Sequence, residues 1–168
     1  MLTKNFYSYM RMALQKVYAT ITKTDGTTKD LHLSSSYSEP PFAVMNKWSI
    51  TNTGTGVSFG TGTTPAVVSD YALQSTLGDT KISVSLPSKV TYSRGDTFDE
   101  YSVSFGVTNK TSDAITISEV GLFSWASDSS ITYNFLVDRT VLDTPVTIPA
   151  HETKHIAYTI RFNYGDAV

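Results

Sequence analysis

The chain contains no cysteine, few charged side chains and no long apolar run. The lack of cysteine excludes thiol catalysis, a disulfide framework and every metal site that needs a thiolate. Charged residues make up 17% of the 168 residues and the net charge is -2, so no long-range positive field is available to attract a nucleic acid. No apolar stretch approaches the ~18 residues of a membrane-spanning helix, and the first residues lack the apolar core of a signal peptide. We therefore expect neither a nucleic acid nor a membrane as a partner.

Residue types that perform catalysis or bind metals occur only at unsuitable spacings. His151 and His155 fall on a segment that alternates like a strand, which would place them about 13 Å apart along one face. Asp96, Asp99 and Glu100 cluster around a turn, but they lack the spacing of a calcium-binding loop. The sequence therefore predicts no catalytic residue, no cofactor and no metal, and the protein is not expected to be an enzyme.

Serine and threonine, in contrast, total 46 residues, and hydrophobic residues alternate with polar ones through most of the chain after residue 17. Alternation on both sides of Asp25-Gly26 predicts a β-hairpin with a connection of about four or five residues. Further alternating stretches follow from Lys81 onward. Short polar turns are predicted between them, at residues 94–96, 109–113 and 126–130. The fold class is therefore predicted to be mainly β, an antiparallel, jelly-roll-like β-sandwich, with a barrel as the alternative.

Residues 3–17 show a different, helical period, with Phe6, Met10 and Leu14 at spacings of about four. Thr3 is predicted to be the N-cap of this helix. We expect two parts, an amphipathic helix over residues 1–17 and a β-sandwich domain over residues 18–168. The apolar stripe of the helix needs a partner, which is more often its own domain but is otherwise a neighbouring subunit.

Three stretches, in a fixed order, carry a resemblance to a known family. They are Phe59-Gly60-Thr61-Gly62-Thr63-Thr64-Pro65 followed by Asp70-Tyr71-Ala72-Leu73; Val107-Thr108-Asn109-Lys110 followed by ITISEVGLF at residues 115–123; and Leu136-Val137-Asp138-Arg139 followed by residues 146–150 and the strand 153–162. Together they resemble segments of small bacteriophage virion structural proteins of the head, neck or tail accessory type. The resemblance covers residues 50–163, and none of its motifs is catalytic.

The resemblance implies a non-enzymatic structural component of a tailed bacteriophage virion that assembles by protein–protein contacts. It implies location in the virion, other virion proteins as partners and a homo-oligomer. A capsid-decorating or head-fibre protein, a neck protein and a tail-attachment protein all remain open. The alternative from another class is a carbohydrate- or receptor-binding β-sandwich module, such as a tail-fibre segment, in which tyrosines and Trp48 stack on sugars.

Two sets of residues are candidates for contact surfaces. The first is the helix stripe formed by Phe6, Met10 and Leu14, and the second includes Thr61 and Thr63 in the Thr/Gly-rich segment 51–64. That segment is predicted to be a loop with little side-chain bulk, so a neighbouring protein could approach its backbone closely.

Glu119 and Arg139 are the only opposite charges inside otherwise apolar strands. If they lie opposite each other, they form a partly buried, bidentate ion pair that fixes the register of two strands. Two separate, solvent-facing charges are an equal alternative. Nearby, Asp70 is predicted to cap a short helical turn, and Gly60 and Gly62 are predicted to allow a tight turn.

Overall fold

A computed structural model of the protein describes residues 1–15, 18–31, 56–85, 90–128 and 131–163. These residues form one helix and nine strands in the described part of the chain: α1 (Lys4–Gln15), β1 (Ala19–Thr22), β2 (Thr28–Leu31), β3 (Gly56–Gly60), β4 (Ile82–Ser85), β5 (Thr91–Arg94), β6 (Phe98–Asn109), β7 (Ile115–Asp128), β8 (Ile131–Ile148) and β9 (Thr153–Asn163). The predicted class, mainly β with one N-terminal helix, is confirmed. Within the described ranges, α1 falls short of the length and apolar character that crossing a bilayer requires.

The strands pair antiparallel throughout and form two main sheets and a hairpin. The first sheet has the order β3-β7-β8. In the second sheet, β9 pairs with one edge of β6 along residues 98–108. On the other edge of β6, β5 pairs with residues 99–102 and β4 pairs with residues 106–109. The hairpin β1-β2 turns through the five residues 23–27, as its sequence predicts.

The two main sheets pack face to face around one apolar core. Phe59 of β3 and Phe105 of β6 meet edge to face, with ring centroids 5.8 Å apart. The buried hydroxyl of Tyr158 on β9 donates to Asp138 Oδ2 on β8 over 2.9 Å, which ties the sheets together through a polar contact. Burial, followed by this contact with Asp138, raises the pKa of Tyr158 well above its ordinary value. The arrangement is that of a β-sandwich.

Helix α1 packs on its own domain, which was the more expected of the two alternatives. Phe6, Tyr9 and Met12 are buried in the core that the two sheets share. The ring of Tyr9 lies 6.1 Å from that of Phe135 on β8. The carboxamide of Asn5 donates to the carbonyl of Thr22 and accepts from its amide, so the helix is also fixed to the β1-β2 hairpin.

The prediction that Thr3 is the N-cap of α1 is confirmed for its position but not for its side chain. α1 begins at Lys4, and the Thr3 carbonyl accepts from the Phe6 amide. The Thr3 hydroxyl, however, donates to the Leu136 and Val137 carbonyls of β8. Its amide also donates to the Val137 carbonyl, so the residue behaves as a short extension of the sheet. The amide of Lys4 donates to the carbonyl of Val68 instead, which satisfies one of the helix's free amides.

Several boundaries differ from those predicted. Residues 56–60 form a fully buried strand, which agrees with the strand-like alternation of Val57 and Phe59 and limits the loop predicted over residues 51–64. Residues 126–128, predicted to belong to a turn, are the last residues of β7. The predictions for Trp48 and for residues 51–55 lie outside the described residues.

Candidate functional site

Residues 61–77, which we call the covering loop, lie on the outer face of the first sheet. Leu73 packs there with Phe123 and Leu136 in a small apolar cluster that is separate from the main core. The two ends of the loop are joined by backbone hydrogen bonds, from the Thr61 amide to the Ser75 carbonyl and from the Leu77 amide to the Phe59 carbonyl. The sheet is therefore covered on both faces, by the second sheet and by this loop.

The carboxylate of Glu119 on β7 fixes the covering loop to the sheet. Oε1 accepts from the amides of Gly62 and Ser75 at 3.0 and 2.8 Å. Oε2 accepts from the amide of Gln74 at 3.1 Å and from Arg139 Nε at 2.8 Å. Glu119 is 0% exposed, and each of its oxygens has two donors, which compensates for the loss of its hydration.

Arg139 on β8 completes a buried network with Glu119 and Asp70. Its Nη1 donates to Asp70 Oδ2 at 2.9 Å, and its Nη2 donates to the carbonyl of Thr64 at 3.0 Å. Burial alone would lower the pKa of Arg139, but the hydrogen bonds to Asp70 and Glu119 outweigh burial and raise it. The guanidinium therefore stays charged and holds the covering loop at Thr64 and Asp70.

The structure thus brings Glu119 and Arg139 together, but in a geometry that the sequence does not predict. They are not directly opposite, because Glu119 pairs with Val141 and Arg139 pairs with Gly121. The contact is a single hydrogen bond rather than a bidentate pair, since the other two guanidinium nitrogens bind the covering loop. Asp70 does not cap a helical turn: its Oδ2 accepts from the Val67 amide, three residues earlier, and from Arg139.

An irregularity in the pairing of β7 with β8 places the Glu119 carboxylate on the outer face. The partner on β8 changes from Val146 to Val141 while β7 advances only from Ile117 to Glu119. Ile117 and Val120 both belong to the main core, although they are three residues apart and strict alternation would put them on opposite faces. Without the change of phase, Glu119 would point the same way as Ile117, into the apolar core. The irregularity therefore converts a core position into one that faces the covering loop.

The glycines beside this network are required because other groups lie too close for a Cβ atom, and not because the chain makes a tight turn. A Cβ on Gly60 would lie 2.6 Å from Glu119 Oε1, and one on Gly62 would lie 2.5 Å from the same atom. Neither glycine has a positive φ. On β7, a Cβ on Gly121 would lie 2.8 Å from the side chain of Leu73. These three glycines leave the room that the carboxylate and the covering loop occupy.

The candidate contact residues have different surroundings. Phe6 is 7% exposed and packs in the core, so it is not available as a surface, and Met10 is partly buried against the same core. The side chain of Leu14 lies outside the described residues. Thr61 and Thr63 are exposed on the covering loop. Of the predicted contact residues that are described, only these two threonines present a free surface.

The residues considered for metal binding lie in ion pairs or at a turn. Asp99 accepts from Arg94 and Tyr92, and Glu100 accepts from Arg161. His151 lies in the β8-β9 turn, and His155 is exposed on β9. Across the residues that the structure describes, no three His, Asp or Glu side chains converge in a way that could hold a metal ion.

Comparison of the chain with protein-family models, with curated proteins and with solved structures finds no match.

Proposed function

We propose that the protein is a non-enzymatic structural component of a tailed bacteriophage virion that assembles through its surfaces. One observation carries this proposal: the three stretches that resemble virion proteins meet in one structural unit. The first stretch supplies Gly62 and Asp70, the second supplies Glu119 and the third supplies Arg139. The order and spacing of the motifs thus have a common physical cause, which is the attachment of the covering loop to the sheet.

The network is suited to holding a surface in one shape. All hydrogen-bonding positions of the Glu119 carboxylate are taken by donors of the protein itself. Buried ion pairs contribute little net stability, because desolvation offsets much of their attraction, but they disfavour alternative arrangements of the chain. A subunit that must repeat the same contacts many times needs a surface of fixed shape. These properties support a role in assembly.

The covering loop offers a surface for such contacts. Val67 and Val68 of this loop are 49% and 43% exposed, and Thr61 and Thr63 of the same loop are also exposed. The Val67 amide binds Asp70, and the Val68 carbonyl binds the first turn of α1, so the backbone of this segment is fixed. We place the proposed assembly contact here rather than on the helix stripe.

The test is the composition of purified particles. Phage particles from the source of this sequence are banded in a density gradient, and the chain is quantified by mass spectrometry against the most abundant capsid protein. We expect a constant ratio that fits the symmetry of the capsid, neck or tail, and that ratio also distinguishes the three locations. Absence of the chain from particles whose other proteins are detected would overturn the proposal.

A second experiment tests the contact surface. Light scattering on the full chain is compared with Val68→Asp and with Ile131→Asp, a matched control at an apolar position that is 59% exposed on β8. We expect the wild type and the control to form the same oligomer and the Val68 variant to dissociate, because a charge is costly to bury in an interface. Equal masses for all three would refute the covering loop as the contact.

A further inference from the structure

A shallow depression of about 330 Å³ opens on the covering loop beside the buried network. Asp70, Tyr71 and Gln74 line it, and Arg139 lies at its base. Tyr71 is 43% exposed, whereas Arg139 is 3% exposed. The depression therefore combines an accessible aromatic ring with polar groups that the fold holds in place.

The polar groups of the depression retain hydrogen-bonding capacity. Asp70 uses Oδ2 for Val67 and Arg139, while Oδ1 accepts no hydrogen bond from the described residues. The Gln74 carbonyl oxygen accepts from two loop amides, and its Nε2 donates one hydrogen to the Thr64 hydroxyl and keeps a second. The lining of the depression thus includes one acceptor and one donor with capacity for a ligand.

The aromatic ring of Tyr71 has a fixed position. A Cβ built on Gly26, at the tip of the β1-β2 hairpin, would lie 3.3 Å from Tyr71 Cζ. The ring therefore rests against the hairpin turn and retains an exposed surface. This contact restricts the ring on one side, so less conformational entropy is lost when a ligand packs on its exposed side.

The charges of this region exclude an anionic ligand. Glu119, Asp70 and Arg139 together carry a net charge of -1, and Arg139 already binds both carboxylates and the Thr64 carbonyl. A phosphate or sulfate would meet the free Asp70 oxygen without an uncompensated cation. A neutral polyol fits better, because its neighbouring hydroxyl groups can donate to Asp70 and accept from Gln74 while its C–H face packs on Tyr71.

We propose that this depression is a binding site for a neutral saccharide. The ring of Tyr71 contacts the apolar face of one sugar residue, and Asp70 and Gln74 bind two of its hydroxyl groups. The site goes beyond the proposed structural role. It is tested on the isolated chain, so its failure and the absence of the chain from particles are separate results.

The experiment titrates the isotope-labelled full chain with maltotriose, cellotriose, chitotriose and N-acetyllactosamine and follows the amide resonances by NMR. We expect saturable shifts in the covering loop with at least one of these probes, at dissociation constants of about 1 mM or below. Inorganic phosphate serves as the anionic probe and is expected to cause no saturable shift.

Two tyrosine variants locate the site. Tyr71→Ala is expected to weaken binding about tenfold or more, which corresponds to ~1.4 kcal/mol. Tyr92→Ala is the matched control, because Tyr92 is 50% exposed but lies on β5 of the other sheet. Wild-type affinity in the Tyr71 variant, the absence of saturable shifts with every saccharide, or saturable binding of phosphate alone would overturn the proposal.

Discussion

Substitution of Glu119 by Gln tests the buried network most directly, because the variant keeps the shape of the side chain and removes its charge. In the wild type, the two carboxylate oxygens accept four hydrogen bonds, from Gly62, Ser75, Gln74 and Arg139. In the amide, one oxygen can accept two of them, and the NH2 group then faces the other two donors. Each unsatisfied buried donor costs about 1–3 kcal/mol, and breaking one side of a buried pair costs about 3–5 kcal/mol. We expect a loss of about 3–5 kcal/mol in the free energy of unfolding.

A double-mutant cycle then isolates the interaction between the two charges. Arg139→Met is expected to cost about 3–5 kcal/mol as well, because it leaves Glu119 charged and buried and removes the partner of Asp70. The double variant should lose about 2 kcal/mol less than the sum, because Glu119 and Arg139 are both replaced and neither is left charged without the other, although Asp70 still loses its partner. Unfolding is measured in urea. Asp70→Asn, at a carboxyl that is 19% exposed, should cost about 1–2 kcal/mol and remains measurable if Glu119→Gln does not fold.

The control is an ion pair of the same chemistry at the surface. Glu100 on β6 and Arg161 on β9 are direct cross-strand partners, and their side chains are 22% and 51% exposed. Glu100→Gln and Arg161→Met should each cost less than about 1 kcal/mol, because solvent screens the pair. If the Glu119 and Arg139 variants cost no more than these controls and their effects add, the reasoning on the network is refuted.

Three further substitutions test other local features. Gly62→Ala should cost about 1–3 kcal/mol in chemical denaturation, because the new Cβ would lie 2.5 Å from Glu119 Oε1; an unchanged midpoint would contradict the close contact. His151→Gly should raise the free energy of unfolding by up to about 1 kcal/mol, because His151 has a φ of 59°; a loss of stability would show that its side chain makes a needed contact. Asp25 should titrate by NMR at about pH 2, because hydrogen bonds from Thr27 lower its pKa from 3.8. The carboxylate's contribution to the stability of the β1-β2 hairpin is then complete above pH 3.8 and is lost as the pH falls through about 2. Asp25→Asn should therefore destabilise the protein at pH 6 and have no effect below about pH 2.

Local patterns predict the sheets better than they predict the contacts of α1. The alternation around Asp25-Gly26 is sufficient for the hairpin, because its partners are near in sequence and its turn residues fit. Thr3 takes the predicted N-cap position, but its hydroxyl is directed to the carbonyls of Leu136 and Val137, more than 130 residues away, and not to the first turn of α1. A hydrogen bond to a distant strand thus replaces the local side-chain cap of the helix. Patterns within a short segment of sequence cannot show such a distant partner.

The contact between Glu119 and the covering loop is also long-range, and local sequence shows only one part of it. The apolar residues of ITISEVGLF lie two apart up to Ile117 and then three apart at Val120, so the phase of the alternation changes there. The structure has its shift of the β7-β8 register at the same point. The pattern does not show that the Glu119 carboxylate binds a loop that contains Gln74, 45 residues earlier. A buried carboxylate, an irregular strand pairing and two glycines each weaken a strand when taken alone. At Glu119 the covering loop compensates for them, because three of its amides donate to the carboxylate and its residues occupy the space beside Gly60 and Gly62.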